Sequence, residues 1–310
     1  MVRVARLGAE GPFLEQRDEP PGDGVLVQLA AASICGSDLG LLAYGQLDFV
    51  IGHELSGLVD GRPVAIEPTL TCGACEQCRA GQTQRCTGRN RLMGYFSDGG
   101  MADAFRCPAA ALVELPGDLA VADACLVEPL AVALHATRRT TLEPGMRVGV
   151  VGAGSIGLGL TATLVDRGLI PLVEARHPHQ RAAVERLGGR VATIVDADVV
   201  FQATSSADGV ARSVEVVRPG GVVVVLGVFH GLAPIPGMPL LIKEVVVTGS
   251  TTYGQCDGRH ETAEAAALLV RRPEIAQALI THRFDLADIS QAFATAIDRR
   301  SGAIKVALHP

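Results

Sequence analysis

A short strand–turn–helix pattern at residues 148–157 constrains this chain more than any other part of its sequence. The segment reads VGVVGAGSIG. Its first four residues are small or β-branched and apolar, which is typical of a strand buried in a parallel sheet. Gly152, Gly154 and Gly157 then form G-x-G-x-x-G, and the apolar residues 158–165 continue as a predicted helix. The pattern therefore predicts an α/β sheet that includes this strand.

Each glycine of this motif meets a separate physical requirement. Gly152 allows the tight turn, Gly154 lets a pyrophosphate approach the backbone, and Gly157 lets the helix pack closely on the strand. Ser155 and Ile156 lie at the helix N-terminus, where free N–H groups and the helix dipole favour phosphate. The motif predicts a dinucleotide-binding fold. The alternative is an ordinary glycine-rich turn between a strand and a helix.

An acidic residue after the next predicted strand supports the dinucleotide interpretation. Residues 170–173 are apolar, and Glu174 follows them, about twenty residues beyond the first glycine. A carboxylate here accepts the ribose hydroxyls of NAD and repels the 2′-phosphate of NADP. Arg176 and Arg181 follow closely, and a basic group nearby could hold that phosphate. The sequence predicts NAD and leaves NADP open.

Strand and helix patterns alternate through residues 131–253, which predicts a doubly wound parallel sheet. Ligands of open α/β sheets bind at the carboxyl ends of the strands. Ala203 and Thr204 follow one predicted strand, and Gly227 and Val228 follow another. These four residues are predicted to border the ribose and nicotinamide. Ordinary strand-end turns have the same composition and are the alternative.

The composition argues against several function classes. The chain has 310 residues, of which 48% are apolar and 19% charged, and its net charge is −6. Its length suits two globular domains. It has no basic run of the kind that binds nucleic acid and no apolar run of the ~20 residues that span a bilayer. Residues 1–13 lack the apolar core of a signal peptide, so a cytoplasmic protein is expected.

Four of the eight cysteines are clustered along the sequence. Cys72, Cys75, Cys78 and Cys86 follow the spacing C-x₂-C-x₂-C-x₇-C. Four thiolates at this spacing can complete the tetrahedral shell of a structural zinc ion, with no coordination position left open. Reduced free thiols and an iron–sulfur cluster are the alternatives, and the glycine-containing loop favours zinc.

Further residues of metal-ligand type lie earlier in the chain. Cys35 is followed by His53 and Glu54, and all three side chains are good zinc ligands. From these residues alone, a catalytic metal site and a simple core cysteine both stay open. The remaining histidines without a spacing partner are predicted to be surface or structural residues: His230, His260, His282 and His309.

Taken in order, these motifs resemble the zinc-containing medium-chain dehydrogenases, the superfamily of alcohol, sorbitol and threonine dehydrogenases. The resemblance covers nearly the whole chain. It rests on CGSD at 35–38, GHE at 52–54, the cysteine cluster, DGGMA at 98–102, EPL at 128–130 and the glycine motif. It implies a GroES-like, β-rich catalytic domain built from both chain ends, 1–128 and 254–310. A zinc lobe is expected at about 70–90, and an inserted Rossmann domain at 129–253.

The resemblance also implies the ligands of a catalytic zinc. Glu128 begins a segment similar to the polyol and threonine dehydrogenase branch, whereas the ethanol-type branch usually has a zinc-binding cysteine there. Cys35, His53 and a glutamate are implied ligands, with one position open, and both Glu54 and Glu128 are candidates. Ser37 matches the proton-relay position of the family. Two departures concern the substrate and the relay: Gly40 stands where relatives often have histidine, and the segment 38–52 is shorter than usual.

The implied function is that of a zinc- and NAD(P)-dependent alcohol dehydrogenase that oxidises a secondary alcohol, with one catalytic and one structural zinc per chain. A polyol, sugar, cyclitol or amino alcohol is expected as substrate, and a homodimer or homotetramer as the assembly. A non-catalytic dinucleotide-binding protein with only the structural zinc is the alternative from another class. A hydrophobic secondary alcohol is the alternative substrate, and its pocket would be lined by Leu39, Leu41, Leu42, Leu47, Phe49 and Phe96.

Overall fold

The computed structural model describes residues 1–88, 91–229 and 231–310 and separates the chain into two compact units. The split unit comprises Met1–Glu128 and Tyr253–Pro310, and the inserted unit comprises Pro129–Thr252. The sequence places the second boundary one residue later. Tyr253 belongs to the split unit, where its buried hydroxyl lies 3.5 Å from Thr69 Oγ1. His230 lies outside the described residues.

The strands coincide with runs of β-branched and other apolar residues, which suit a pleated, half-buried surface. In chain order they are β1 (Val2–Gly8), β2 (Gly11–Arg17), β3 (Val25–Ser33), β4 (Glu54–Val59), β5 (Arg62–Ile66), β6 (Thr69–Leu70), β7 (Arg91–Leu92), β8 (Ala104–Cys107), β9 (Leu112–Glu114), β10 (Val148–Val151), β11 (Leu172–Glu174), β12 (Arg190–Val191), β13 (Ala197–Gln202), β14 (Val217–Val225), β15 (Val246–Gly249), β16 (Gln255–Cys256), β17 (Arg259–His260), β18 (Ile280–Asp285) and β19 (Lys305–His309).

The helices lie mainly between the strands of the inserted unit and near the end of the chain. They are α1 (Gly36–Leu41), α2 (Glu76–Arg79), α3 (Val127–Thr137), α4 (Ser155–Asp166), α5 (Pro178–Arg186), α6 (Ala207–Val216), α7 (Gly237–Ile242), α8 (Glu261–Arg271), α9 (Glu274–Leu279) and α10 (Ile289–Ile297). Short 3₁₀ turns cover Leu42–Tyr44, Thr83–Arg85, Ala109–Ala111, Val121–Leu126 and Leu286–Asp288. Within the part of the chain that the structure describes, no helix has the length and apolar run that crossing a membrane requires.

The split unit is built on a largely antiparallel sheet with the strand order β18-β19-β3-β4-β5-β9, and β8 also pairs with β3. The strands β18 and β19 pair in parallel. The β3–β4 register places Ser33 opposite Glu54, and β19 pairs with the other side of β3. The residues that follow β3 therefore lie beside the beginning of β4, although they are separated along the chain.

The inserted unit contains a six-stranded parallel sheet with the order β12-β11-β10-β13-β14-β15. The doubly wound architecture predicted from the sequence is confirmed. The chain leaves β10 for β11 on one side and then crosses to β13 on the other. The turn after β10 therefore stands where strand order reverses, the usual ligand position of such sheets.

One predicted strand of the inserted unit is much shorter than the sequence suggests. The apolar segment 191–195 predicts a full strand, but β12 ends at Val191. The reason is a competing hydrogen bond, because the Ile194 N–H donates to Glu174 Oε1 at 3.2 Å instead of to a neighbouring strand.

In the turn between β10 and α4, the backbone angle and close contacts explain the glycines at positions 152 and 157, and the space beside Gly154 is open. Gly152 has a φ of +104°, a conformation that side chains with a Cβ rarely adopt. A Cβ on Gly157 would lie 1.9 Å from the Gly152 carbonyl oxygen, so α4 packs directly on the turn. A Cβ on Gly154 would have nothing within 4 Å. Gly154 thus leaves open space at the helix N-terminus.

We expect Gly157→Ala to destabilise the protein and Gly154→Ala to be tolerated structurally. Forcing a methyl group into the Gly157 contact costs about 1–3 kcal/mol or more, which lowers Tm by roughly 4–10 °C for a unit of this size. Calorimetry of both variants beside the wild type measures the difference. Equal Tm values for the two variants would contradict the close packing of helix and turn.

Candidate catalytic metal and cofactor sites

Three donor side chains from different parts of the split unit form one group. Cys35 follows β3 and is the N-cap residue of α1, while His53 immediately precedes Glu54, the first residue of β4. Their sulfur, nitrogen and oxygen donor atoms all lie within 4.8 Å of one another. A tetrahedral zinc ion with bonds of about 2.0–2.3 Å needs donors at such separations. Three donors leave a fourth position for water or substrate.

The His53 ring is held from both sides. Its Nε2 lies 3.2 Å from the Ser37 hydroxyl oxygen, and its Nδ1 lies 3.3 Å from Asp38 Oδ1. Asp38 is fully buried, and its Oδ2 accepts a hydrogen bond from the Cys35 N–H at 2.8 Å. Burial opposes protonation of His53, but the charges of Asp38 and Cys35 outweigh it and raise the His53 pKa well above its usual value. The group therefore attracts positive charge, as a metal site does.

Glu54 is part of a buried ion pair with Lys305. Both Glu54 oxygens lie 2.7 Å from Lys305 Nζ, and the Ser33 hydroxyl also donates to Glu54. Lys305 donates as well to the Ile34 carbonyl at 3.3 Å. The side chains of Lys305 and Glu54 are 1% and 0% exposed. The ammonium group balances one negative charge directly beside the three donors.

Glu128 is a second buried carboxyl group near these donors, in the first turn of α3. Burial raises its pKa to about 7, while the charge of His53 and a hydrogen bond with Tyr253 act in the opposite direction. The three-donor group does not include Glu128. Of the two glutamates that the sequence leaves as candidates, Glu54 is the one whose oxygen lies within reach of Cys35 and His53.

The four-cysteine cluster has the dimensions of a closed metal shell. Cys72 Sγ lies 3.5 Å from Cys86 Sγ and 4.0 Å from Cys78 Sγ, and Cys75 Sγ lies 4.0 Å from Cys86 Sγ. A tetrahedron with Zn–S bonds of about 2.3 Å has edges of about 3.8 Å. The same separations are far too long for disulfide bonds of about 2.05 Å. The donor set therefore fits a zinc ion.

Backbone groups around the cluster favour the thiolate form that zinc requires. The N–H of Cys72 donates to Cys86 Sγ, and the N–H of Cys75 donates to Cys72 Sγ, each at 3.3 Å. Backbone hydrogen bonds from Cys78 and Thr87 lower the pKa of Cys75 to about 5. The loop thus provides dipoles that stabilise the charge of Cys75, whereas burial and the neighbouring thiols raise the pKa of Cys78 to about 11.

In the inserted unit, the turn after β10 leaves the N-terminus of α4 free. The helix begins at Ser155, followed by Ile156 and Gly157, and its N-cap residue, Gly154, has no side chain with which to cap the first N–H groups. Together with the open space at Gly154, these groups can receive a pyrophosphate. The arrangement fits the dinucleotide predicted from the sequence motif.

Glu174 ends β11, the strand next to β10 in the sheet. Its carboxylate is engaged by the guanidinium group of Arg212 on α6, with a shortest separation of 2.7 Å. Arg176 is exposed. The acidic residue thus stands at the edge where the cofactor ribose is expected, but it already has a partner.

The loops after β13 and β14 are joined by one buried side chain. Gln202 Nε2 donates to the Thr204 carbonyl and to its hydroxyl oxygen, both at 2.8 Å, and Gln202 Oε1 accepts from the Gly227 N–H at 3.2 Å. A Cβ on Gly227 would lie 1.8 Å from the Thr204 carbonyl oxygen. Thr204 is therefore packed against Gly227 at the carboxyl edge of the sheet. Ala203 precedes Thr204 in the first loop, and Val228, which is 57% exposed, follows Gly227 in the second.

Comparison with known proteins agrees with this geometry. The profile of the alcohol dehydrogenase GroES-like domain matches residues 21–117, and that of the glucose dehydrogenase C-terminus matches residues 122–309. The chain belongs to the zinc-containing medium-chain alcohol dehydrogenase family. As a member of this family it is an oxidoreductase that acts on alcohols.

Several individual relatives resemble the chain over almost its whole length. The L-arabinitol 4-dehydrogenase of Aspergillus oryzae is 31% identical, covering 92% of this chain and 86% of the relative. The solved structure of L-idonate 5-dehydrogenase from Escherichia coli has a TM-score of 0.86 at 26% identity, covering 100% and 98% of the two chains. A protein from Sinorhizobium meliloti 1021, described as a zinc-binding dehydrogenase and bound to NADP, has a TM-score of 0.86 at 25% identity, covering 100% and 99%.

The structure adds residues of this dehydrogenase that the sequence reasoning does not single out: Asp38, Lys305, Tyr253, Gln202 and Arg212. The sequence does point to Asp38, because it stands three residues after Cys35 within the recognised CGSD segment. Lys305, Tyr253 and Arg212 are far along the chain from their partners. Gln202 bonds Thr204 two residues away, but its second partner, Gly227, lies in the next loop, so no local spacing marks its linking role. His260, which has no spacing partner in the sequence, has a partner in the structure: its Nδ1 lies 3.2 Å from Glu67 Oε2.

We expect Cys86→Ser to lower the zinc content of the dehydrogenase by one ion per chain. Loss of the shell leaves the lobe without its metal, and Tm falls by roughly 5 °C or more, at about 2–4 °C per kcal/mol. Cys256→Ser is the matched control, because Cys256 is partly exposed and outside both donor groups. Elemental analysis and calorimetry measure both effects. Unchanged zinc content in Cys86→Ser would contradict the assignment of the cluster.

Proposed function

We propose that this alcohol dehydrogenase oxidises a polyol or sugar-derived secondary alcohol at a zinc ion held by Cys35, His53 and Glu54. The observation that carries the proposal is the group of three donor atoms within 4.8 Å, which leaves one position for the alcohol. When bound, zinc lowers the pKa of the alcohol hydroxyl, and the nicotinamide ring accepts the hydride.

Neighbouring residues orient the proposed ligands. Asp38 fixes the orientation of the His53 ring, as carboxylates commonly do for metal-bound histidines. Lys305 holds Glu54 in place and offsets its charge. Glu128 lies close enough for the charges of His53 and Glu54 to act on its pKa, so it is a buried carboxyl group at the edge of the donor group.

Ser37 is the proposed proton acceptor for the alcohol. Its hydroxyl oxygen lies 3.2 Å from His53 Nε2 and so borders the same donor group. A hydroxyl group can accept one proton and donate another. It can therefore accept the proton of the alcohol as it passes its own proton to solvent, to which the partly exposed Ser37 has access. This role suits a chain in which Gly40 stands where relatives often have histidine.

The substrate class is supported by two observations. The similar A. oryzae and E. coli proteins are named for L-arabinitol and L-idonate, both polyhydroxylated compounds. Five of the six apolar side chains that would serve a hydrophobic substrate are instead used for packing. Leu41 is buried in the core of the split unit, and Leu39, Leu42, Leu47 and Phe49 pack against that core. Phe96 is 64% exposed.

We expect wild-type protein to hold two zinc ions per chain and Cys35→Ser to hold one. The variant should keep its fold and lose activity, whereas Ser37→Ala should keep both ions and lower kcat about 10²-fold. The measurements are zinc content and rates with xylitol, L-arabinitol, D-sorbitol, 2-butanol and cyclohexanol. Faster oxidation of 2-butanol or cyclohexanol would contradict the polyol assignment. One zinc and no turnover in the wild type would favour the non-catalytic alternative.

NAD is the proposed cofactor. Glu174 supports this proposal, because its carboxylate ends β11, where it can accept ribose hydroxyls and repel a 2′-phosphate. NADP is the alternative, supported by the exposed basic side chain of Arg176 in the same cleft.

We expect Glu174→Gln to reduce the preference for NAD, because a neutral amide no longer repels a 2′-phosphate. The ratio of kcat/KM for NAD to that for NADP should fall by about tenfold, corresponding to about 1.4 kcal/mol. Steady-state kinetics with both cofactors measure the ratio. A wild-type enzyme that prefers NADP would show that the basic side chains, rather than Glu174, determine the choice.

We also propose a homodimer formed through the edge of the inserted unit. The strand β15 is a terminal strand of the parallel sheet, so its outer backbone groups can pair with a second copy. The surface beside it is apolar and exposed, at Met238, Leu241, Ile242 and Val246. Exposed apolar patches of this kind mark association surfaces.

We expect Leu241→Asp to convert the assembly to monomers, because a charge cannot be buried without a partner. Light scattering coupled to size-exclusion chromatography measures the mass. Ile170→Asp is the matched control, an exposed isoleucine of the same unit that precedes β11. A monomeric wild type, or a Leu241→Asp variant of unchanged mass, would contradict this interface.

A further inference from the structure

A cleft of about 700 Å³ opens beside Glu174 in the inserted unit. Glu174 and Arg176 line it from the end of β11, Arg212 and Glu215 from α6, and Lys243 from the residue after α7. It combines acidic and basic side chains, so its ligand preference depends on which of them are already paired.

The two oxygens of Glu174 are unequally engaged. Oε1 accepts from Arg212 Nη2 at 2.7 Å, from Arg212 Nε at 3.1 Å and from the Ile194 N–H at 3.2 Å. Within residues 1–88, 91–229 and 231–310, Oε2 accepts one hydrogen bond, from Arg212 Nε at 3.2 Å. A carboxylate oxygen has about two lone-pair directions. Oε1 is therefore saturated, and Oε2 retains capacity for another donor.

Arg212 is itself fixed by neighbouring groups. Its Nη1 lies 3.0 Å from Glu215 Oε1, and its Nη2 also contacts the Ile194 carbonyl at 3.4 Å. The side chains of Arg212 and Glu174 are 30% and 23% exposed. A guanidinium held on three sides forms a rigid fork, which suits the geometry of a carboxylate.

Lys243 also lines the cleft, but its ammonium group forms hydrogen bonds with backbone carbonyls instead of with Glu174. Its ammonium group donates to the carbonyls of Val214, Glu215 and Val217 at the end of α6. It therefore stabilises the helix that carries Arg212. Arg212 is the basic residue that acts directly on Glu174.

We propose that Arg212 is a positioning residue for cofactor binding, which holds Glu174 so that Oε2 accepts the hydroxyl groups of the cofactor ribose. This inference rests on the proposed use of a nicotinamide dinucleotide. Arg212 acts through Glu174 and does not itself contact the nucleotide. It thereby contributes to affinity through preorganisation, since the carboxylate loses no rotational freedom on binding.

Arg212→Gln should therefore weaken NADH binding about three- to tenfold, as expected when one side chain must be immobilised on binding. The KM for NAD should rise by the same factor, with kcat changed less than about twofold. Arg212→Lys should recover part of the loss, because it restores a charge but not the two-pronged contact. Because the chain has no tryptophan, NADH fluorescence can be titrated with little protein background.

A double-mutant cycle with Glu174→Gln tests the mechanism. If Arg212 acts through Glu174, adding Arg212→Gln to Glu174→Gln should cause no further change in the NADH Kd. An equal loss in both backgrounds would overturn the inference, because Arg212 would then act on the nucleotide or on the fold independently.

Arg218→Gln is the matched control. Arg218 forms a comparable ion pair with Asp198 at 2.7 Å in the same unit and does not line the cleft. It should leave the NADH Kd unchanged, and the Tm of every variant is measured beside it. A wild type that binds neither NADH nor NADPH would contradict the proposed function itself. If the wild type and Arg212→Gln bind NADH with the same Kd, only the proposed role of Arg212 is overturned.

Discussion

Two opposite charges buried in the split unit, Glu54 and Lys305, hold together the part of the molecule on which its chemistry depends. They come from β4 and β19, and β3, which leads into Cys35, lies between those strands in the sheet. Lys305 also binds the Ile34 carbonyl, so the pair spans the end of β3. Breaking a buried ion pair costs about 3–5 kcal/mol, because one charge remains unpaired. The donor group is thus fixed by the sheet rather than by its loops.

The inserted unit uses neutral hydrogen bonds for a similar purpose. Gln202 is fully buried, and its amide links the loops that follow β13 and β14. The amide group forms hydrogen bonds with the Thr204 carbonyl and the Gly227 N–H, two backbone groups at the sheet edge. In each unit, one buried polar side chain anchored in a strand therefore fixes neighbouring segments: Lys305 of β19 in the split unit and Gln202 of β13 in the inserted unit.

The sequence predicts local features well and long-range partners poorly. The cysteine cluster and the glycine turn are predictable because all their residues lie within a short segment, so spacing alone encodes their geometry. The group of Cys35, His53 and Glu54 needed the family resemblance, since two loops supply it. Lys305, Tyr253 and Arg212 could not be predicted, because a residue paired across a sheet or with another helix leaves no local pattern. The short β12 was missed because a side chain, Glu174, competes for a backbone N–H.

The division of the split unit into two chain segments has a consequence for how the protein is made. Synthesis proceeds from the N-terminus, and domains generally fold as units while the chain emerges. The inserted unit, Pro129–Thr252, is complete before β19 has left the ribosome. Until then Glu54 has no ammonium partner and the sheet lacks the strand next to β3. The four-cysteine lobe can acquire its metal early, whereas the surroundings of Cys35, His53 and Glu54 are completed only when β19 emerges.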